Sequence, residues 1–182
     1  MKRFLLPLIL MLSGWTGTVT EVRDGNVVTV VNMETQEPVA VRLWACDAPE
    51  VDQPYGQIAQ KFLADLVMNH EIAVTEMHRD LQGMLRVSLY IGDTFINNEM
   101  IAHGLAWFDQ RLTPSDILLA SYETACVNGL GLWASKQSIH PKMWRKLYHH
   151  ANLTLDPVSV AKNLAYLSQL DPDQLPIPQS NR

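Results

Sequence analysis

This chain carries few of the marks that would assign it quickly to a class. No apolar run approaches the roughly 20 residues that cross a bilayer, so no stable membrane span is expected. Cysteine is nearly absent. Cys46 and Cys126 are the only two among 182 residues, which excludes a disulfide-built scaffold. The two could pair in an oxidising compartment or remain free buried thiols, because a sequence does not show whether two Cα atoms come within bridging range. There is no Cys-x-x-Cys, no phosphate-binding Gly-rich loop, no dinucleotide fingerprint and no nucleophilic-serine motif. Six histidines are present, but His140 and the adjacent His149-His150 lack metal-ligand spacing. Positive charge is scarce, with 14 Lys and Arg against 19 Asp and Glu for a net charge of −5. A broad basic stripe is thereby excluded, leaving only a local patch from Arg42, Arg79 and Arg86 with Lys142, Arg145 and Lys146. Internal repeats and low-complexity tracts are missing too.

What is present suits a compact domain with an appendage. The chain is 47% hydrophobic and 18% charged, enough apolar material for a substantial core. Met1-Lys2-Arg3, the apolar run from Phe4 to Leu12 and Ser13-Gly14 have the layout of a short signal peptide over residues 1–14, so an exported location, periplasmic or secreted, is expected. Loss of Lys2 and Arg3 would leave 12 basic residues against 19 acidic ones, a net charge of −7.

Alternating apolar residues predict strands over Thr16–Val22, Asn26–Val31, Val39–Cys46, Ile72–Glu76 and Met84–Ile91, with Phe95-Ile96 as a short addition. Helical spacing predicts helices over Tyr55–Met68, Asn97–His103 and Ser115–Asn128. The main domain is expected over residues 15–146, followed by a C-terminal extension over 147–182. In that extension Asp156 as N-cap and Pro157 at the first helical position open a helix over Pro157–Leu170. Its apolar stripe, Val158, Val160, Ala161, Leu164, Ala165, Leu167 and Leu170, would pack back on the domain or dock on a protein partner. Asp171–Arg182, with three prolines, reads as an extended tail.

The densest chemistry lies in Val41-Arg-Leu-Trp-Ala-Cys-Asp-Ala-Pro-Glu50. Strand alternation puts Val41, Leu43 and Ala45 on one face and Arg42, Trp44 and Cys46 on the other. Pro49 stops ladder pairing, and Asp47 and Glu50 project from the strand's exit. Arginine presents a fork of donors that suits phosphate oxygens, and carboxylates are hard ligands for Ca²⁺ or Mg²⁺. A surface ion pair at a turn uses the same residues, so the segment alone does not decide.

The wider order of motifs does. Gly17–Val30 holds two β-type runs joined by Asp24-Gly25-Asn26. Tyr55-Gly56-Gln57, Asp80-Leu-Gln-Gly83, Asn97, Gly104-Leu105-Ala106, Gly131-Leu-Trp133 and Trp144-Arg145 follow. In this order and spacing the chain resembles the staphylococcal-nuclease-like (thermonuclease) family from about Gly17 to Arg145. The resemblance implies an α+β, mainly β fold: a five-stranded OB-fold barrel with about three helices. It implies hydrolysis of phosphodiester bonds in DNA or RNA, single-stranded substrates included, with Ca²⁺ (or Mg²⁺) as cofactor. Carried over residue by residue, it assigns Arg42 as the first catalytic arginine, Glu50 as the general base and Asp47 as a metal ligand.

Departures from the family pattern are also specific. Asn26 stands where a second metal-binding aspartate is expected, so a neutral oxygen replaces a charged one. Ala48 replaces a threonine that contributes its backbone carbonyl. Met84 stands where the family places a second catalytic arginine, and methionine cannot stabilise an anion. Arg86 lies two residues along the same predicted strand, on the same face, its anchor displaced by about 7 Å, and is the candidate substitute. Two functions follow: a metal-dependent nuclease with a partly degraded site, or a catalytically inactive nuclease fold used for binding or assembly.

Overall fold

The computed structural model describes residues 14–112, 115–134 and 138–148. The expected helix over Pro157–Leu170, the tail after it and all but the last residue of the expected signal segment lie outside the described residues.

Three strands open the fold, β1 (Gly14–Val22), β2 (Val27–Asn32) and β3 (Pro38–Leu43). They form an antiparallel meander. A two-residue strand β4 (Cys46–Asp47) follows, then helix α1 (Gly56–Val67), β5 (Glu71–Arg79), β6 (Leu85–Ile91) and β7 (Thr94–Phe95). Helix α2 (Ile96–Ala102), β8 (Trp107–Phe108), helix α3 (Asp116–Val127), a 3₁₀ turn at Gly131–Ala134 and helix α4 (Pro141–Tyr148) complete it.

The barrel runs β3-β2-β1-β5-β6, and β3 then pairs with β6 in parallel to close it. This is a mixed five-stranded OB-fold barrel, as the resemblance implied. At the closing seam Val41 faces Leu85, Arg42 faces Arg86, and Leu43 faces Val87. Strand alternation sends Val41, Leu43, Leu85 and Val87 into the core, each no more than 3% exposed. It sends Arg42 and Arg86 to the outer face. Inside, Val28, Val30, Ile72, Val74 and Leu89 form one core cluster with Ala59, Leu63 and Val67 of α1 and with Met100 and Ile101 of α2. The buried face of α1 is Gly56, Ala59, Leu63 and Val67, the 3–4 spacing of an amphipathic helix.

Most predicted boundaries fall within a residue or two of the observed ones. Ser115, predicted as the first residue of the third helix, is instead its N-cap, its hydroxyl accepting from the Leu118 N–H. The largest difference is in the third strand. Val39–Cys46 does not run unbroken: it ends at Leu43, turns through Trp44 and Ala45, and resumes as β4. Ala45 adopts φ 57°, a left-handed conformation that costs a non-glycine residue. The face assignment therefore fails beyond the turn. Cys46 points away from Arg42 and into the core, its thiol donating to the Asn97 carbonyl at 3.2 Å. Neither cysteine is bridged. Helix α4 is an element the sequence reading did not predict.

Candidate active site

The site is built on the closing seam of the barrel. Residues opposite one another on neighbouring strands project to the same side, about 4.8 Å apart, so Arg42 on β3 and Arg86 on β6 stand side by side. Such a like-charge pair is unfavourable unless something anionic lies over it. Burial and the neighbouring Arg42 together hold the Arg86 guanidinium below its ordinary pKa, against the opposing pull of Asp80 and Asp47. Arg86 Nε donates to Asp80 Oδ2 at 3.1 Å, and Nη2 stands 3.1 Å from the same oxygen in an ion pair. It is thus a partly buried, paired residue and not a solvated one. Arg42 Nε is buried and has no hydrogen-bond partner among the described residues, an orphaned donor at the centre of the candidate site.

Met84 precedes β6 and is half-buried. Its N–H donates to Asp80 Oδ1 at 2.9 Å, and its carbonyl accepts from the Asp80 N–H at 2.9 Å. This tight turn fixes where β6 begins and so where Arg86 falls.

The acidic residues come from three turns. Asp47 leaves the barrel because the Ala45 kink redirects the chain and β4 pairs with β8, Cys46 with Phe108 and Asp47 with Trp107. Burial raises the Asp47 carboxyl pKa; Arg145, Lys142 and Arg42 pull it back down, and Glu50 pushes it up. Asp24 was not among the sequence candidates. Its carboxyl is likewise raised by burial, lowered by the Asn26 N–H and by Arg42, and raised again by Glu50. Its place at the head of the Asp24-Gly25-Asn26 turn was the available signal. Gly25 allows that turn to pack closely, since a Cβ there would lie 2.7 Å from both Ala48 Cβ and Ala59 Cβ.

Glu50 sits in a loop closed by Gln53 N–H to Glu50 O at 2.9 Å and Gly56 N–H to Gln53 O at 2.8 Å. A Cβ on Gly56 would overlap the Glu50 carbonyl at 1.8 Å, so the loop requires glycine there. Gln53, missed by sequence reasoning, is 5% exposed. It accepts from the Glu50 N–H and donates to the Ile139 carbonyl, tying the loop to the segment before α4. From α4 itself, Arg145 Nη1 contacts Glu50 Oε1, and Trp144 Nε1 donates to Asp52 Oδ1 at 3.1 Å.

His140 Nε2 stands 3.8 Å from Asp47 Oδ2. Burial, helped by Lys142, lowers the His140 pKa to about 4. At neutral pH the imidazole is uncharged, so this is a polar contact and not an ion pair.

Asn26 is 5% exposed, and its amide Nδ2 donates to the Cys46 carbonyl at 2.8 Å. That leaves Oδ1 as its only side-chain oxygen for any ligand. Among the described residues no three His, Cys, Asp or Glu side chains converge on one point. The available donor set is therefore Asp47 and Asp24 with neutral oxygens from Asn26 and the backbone. Both carboxylates are desolvated and both have Arg42 as a cationic neighbour; as hard oxygen donors few in number they suit a divalent ion that keeps much of its water.

Comparison with known proteins gives the family of the chain. The family model for staphylococcal nuclease homologues matches residues 40–135. A micrococcal nuclease of Shigella flexneri is 33% identical over 159 residues, covering 79% of this chain and 90% of that protein. This chain belongs to the staphylococcal nuclease family. Among other family relatives, an uncharacterized endonuclease of Haemophilus influenzae is 32% identical over 131 residues, covering 72% of this chain and 73% of its own length. One from Escherichia coli is 29% identical over 148 residues, covering 77% and 95%. The family match starts two residues before Arg42 and takes in every sequence-predicted site residue except Asn26.

Proposed function

We propose that this member of the staphylococcal nuclease family is an exported, divalent-metal-dependent nuclease that hydrolyses phosphodiester bonds in single-stranded DNA or RNA. The observation that carries the reading is the seam pair, Arg42 beside Arg86, with the Arg42 Nε orphaned and Asp47, Asp24 and Glu50 around it. A phosphate laid over the pair would satisfy the orphaned donor and relieve the like-charge contact. Export is supported by the basic start and apolar run of residues 1–14.

In this reading Arg42 and Arg86 bind the non-bridging oxygens and neutralise charge that builds on phosphorus as water attacks. Glu50 takes the proton of that water; a new P–O bond forms as the ester P–O bond breaks, and the leaving sugar oxygen departs as a hydroxyl with a proton from solvent. Asp47, Asp24 and the Asn26 oxygen would hold Ca²⁺ or Mg²⁺, which supplies Lewis-acid polarisation of the phosphate. Arg86 stands in for the arginine that Met84 lacks, because the parallel register sets it against Arg42 whatever its distance from Met84 along the strand.

The test is cleavage of single-stranded DNA by the purified protein with Ca²⁺, Mg²⁺ or EDTA. Glu50→Gln, Arg42→Ala and Arg86→Ala are each expected to lower the rate by about 10²-fold or more while the thermal transition is kept. A favourable observation also exists for the alternative, an inactive fold used for binding: Glu50 is covered by Arg145, and among the described residues no three His, Cys, Asp or Glu side chains converge to hold a metal. Absence of cleavage by folded protein with every metal would select it and turn attention to the 157–170 segment as the docking element.

A further inference from the structure

Helix α4 is fixed over the site by contacts that do not involve Arg145. Trp144 is 4% exposed and hydrogen-bonded to Asp52, Gln53 holds the Ile139 carbonyl, and Lys142 Nζ lies 3.8 Å from Asp109 Oδ2. With the helix anchored in this way, an additional ion pair between Arg145 and Glu50 adds little to docking. Partly exposed pairs of this kind contribute little to stability, and here the two side chains are 40% and 27% exposed. Yet the pair places a guanidinium directly on the carboxylate assigned as the base. Asp47 feels Arg145 and Lys142 as well as Arg42, so the α4 cations share one centre with the seam.

Of the two seam arginines, Arg42 alone keeps an unpartnered Nε among the described residues. Arg86 spends Nε and Nη2 on Asp80, and the Met84 side chain contributes no donor. Arg145 engages Glu50 through Nη1 alone, and a guanidinium has five N–H groups in a fixed fork.

We propose that Arg145 is a third phosphate-contacting cation of the site, brought by α4 and added to Arg42 and Arg86 of the seam. At rest it pairs with Glu50; when nucleic acid enters, it turns its fork to a phosphate oxygen and leaves Glu50 to the attacking water. The proposal rests on the nuclease reading above and deepens it by naming a residue outside the barrel as part of the phosphate grip.

The experiment separates the two. Binding of a fluorescent oligothymidylate is measured in EDTA across a salt series, and single-turnover cleavage is measured with Mg²⁺ or Ca²⁺. Each phosphate contact to a single strand contributes about 0.7 to the slope of log K against log salt. Arg145→Ala is expected to reduce that slope by about 0.7 and the cleavage rate by tenfold or more, and Arg145→Lys to retain the slope. Met84→Arg placed in the Arg145→Ala background is expected to restore both, which a purely structural contact would not allow. An unchanged slope in Arg145→Ala, or faster cleavage, overturns the proposal and makes Arg145 a structural partner or a restraint on Glu50. If the unaltered protein neither binds nor cleaves, the nuclease reading falls, and this proposal falls with it.

Discussion

Asn26 shows how a single residue can trade one role for another. Its amide nitrogen closes a buried hydrogen bond to the Cys46 carbonyl, at the turn that positions Asp47. An aspartate at this point would set a carboxylate against that carbonyl with no proton between them. Asn26→Asp is therefore expected to lower stability in EDTA by about 1–3 kcal/mol. With Ca²⁺ or Mg²⁺ it should regain much of that loss and bind the ion more tightly than the native protein, since affinity follows ligand charge. Thermal melts of both proteins with and without metal check this, and equal shifts in the two would refute it. On the metal-dependent reading, the asparagine suits a fold that must stand before a metal arrives.

At the scale of elements, Asn97 joins what the barrel alone would leave apart. It is fully buried, accepts from the Leu89 N–H at 3.0 Å, and donates to the carbonyls of Trp44 at 2.9 Å and Val87 at 3.1 Å. One side chain of α2 therefore stitches β6 to the kink between β3 and β4. Asn97→Ala would take the side-chain partner from the Leu89 N–H and the Trp44 carbonyl, while the Val87 carbonyl keeps the Trp44 N–H, and denaturant unfolding is expected to show a loss of roughly 2 kcal/mol or more. Asn97→Asp should not rescue it, having no amide donor.

The strands, helices α1, α2 and α3, and the placement of Arg42 on a strand with Asp47 and Glu50 beyond its end were legible from local pattern, because alternation, helical spacing and turn residues act over a few neighbours. The kink at Ala45 was not, because alanine carries no local signal for a left-handed backbone; the constraint comes from Asn97, 52 residues away in the chain. Nor was the meeting of Arg86 with Arg42, which depends on parallel register across the seam. Helix α4 over Glu50 was equally out of reach, since a pattern of basic and aromatic residues does not say which loop it will cover.

For the whole molecule, the acidic site is a cost to the empty fold. Asp24 and Asp47 have carboxyl pKa values raised by burial, so the folded state holds protons that the unfolded state has already released. Their contribution to stability is complete below the unfolded value of about 3.9 and is lost as pH rises through the raised folded values. Asp47→Asn is accordingly expected to be more stable than the native protein in EDTA at pH 7, with the difference closing below about pH 4. The same substitution should abolish the rise in melting temperature on adding a divalent ion. Melting curves at pH 4 and pH 7, each with EDTA or Mg²⁺, provide the measurement; a less stable Asp47→Asn at pH 7 would count against it.

The parallel pairing of β3 with β6 has a consequence in time. Every other pairing in the barrel can form while the sheet is still open, with Arg42 and Arg86 on its two far edges. Joining β3 to β6 completes the barrel and the phosphate grip in one event. On the nuclease reading proposed above, a half-folded chain would have no grip on nucleic acid.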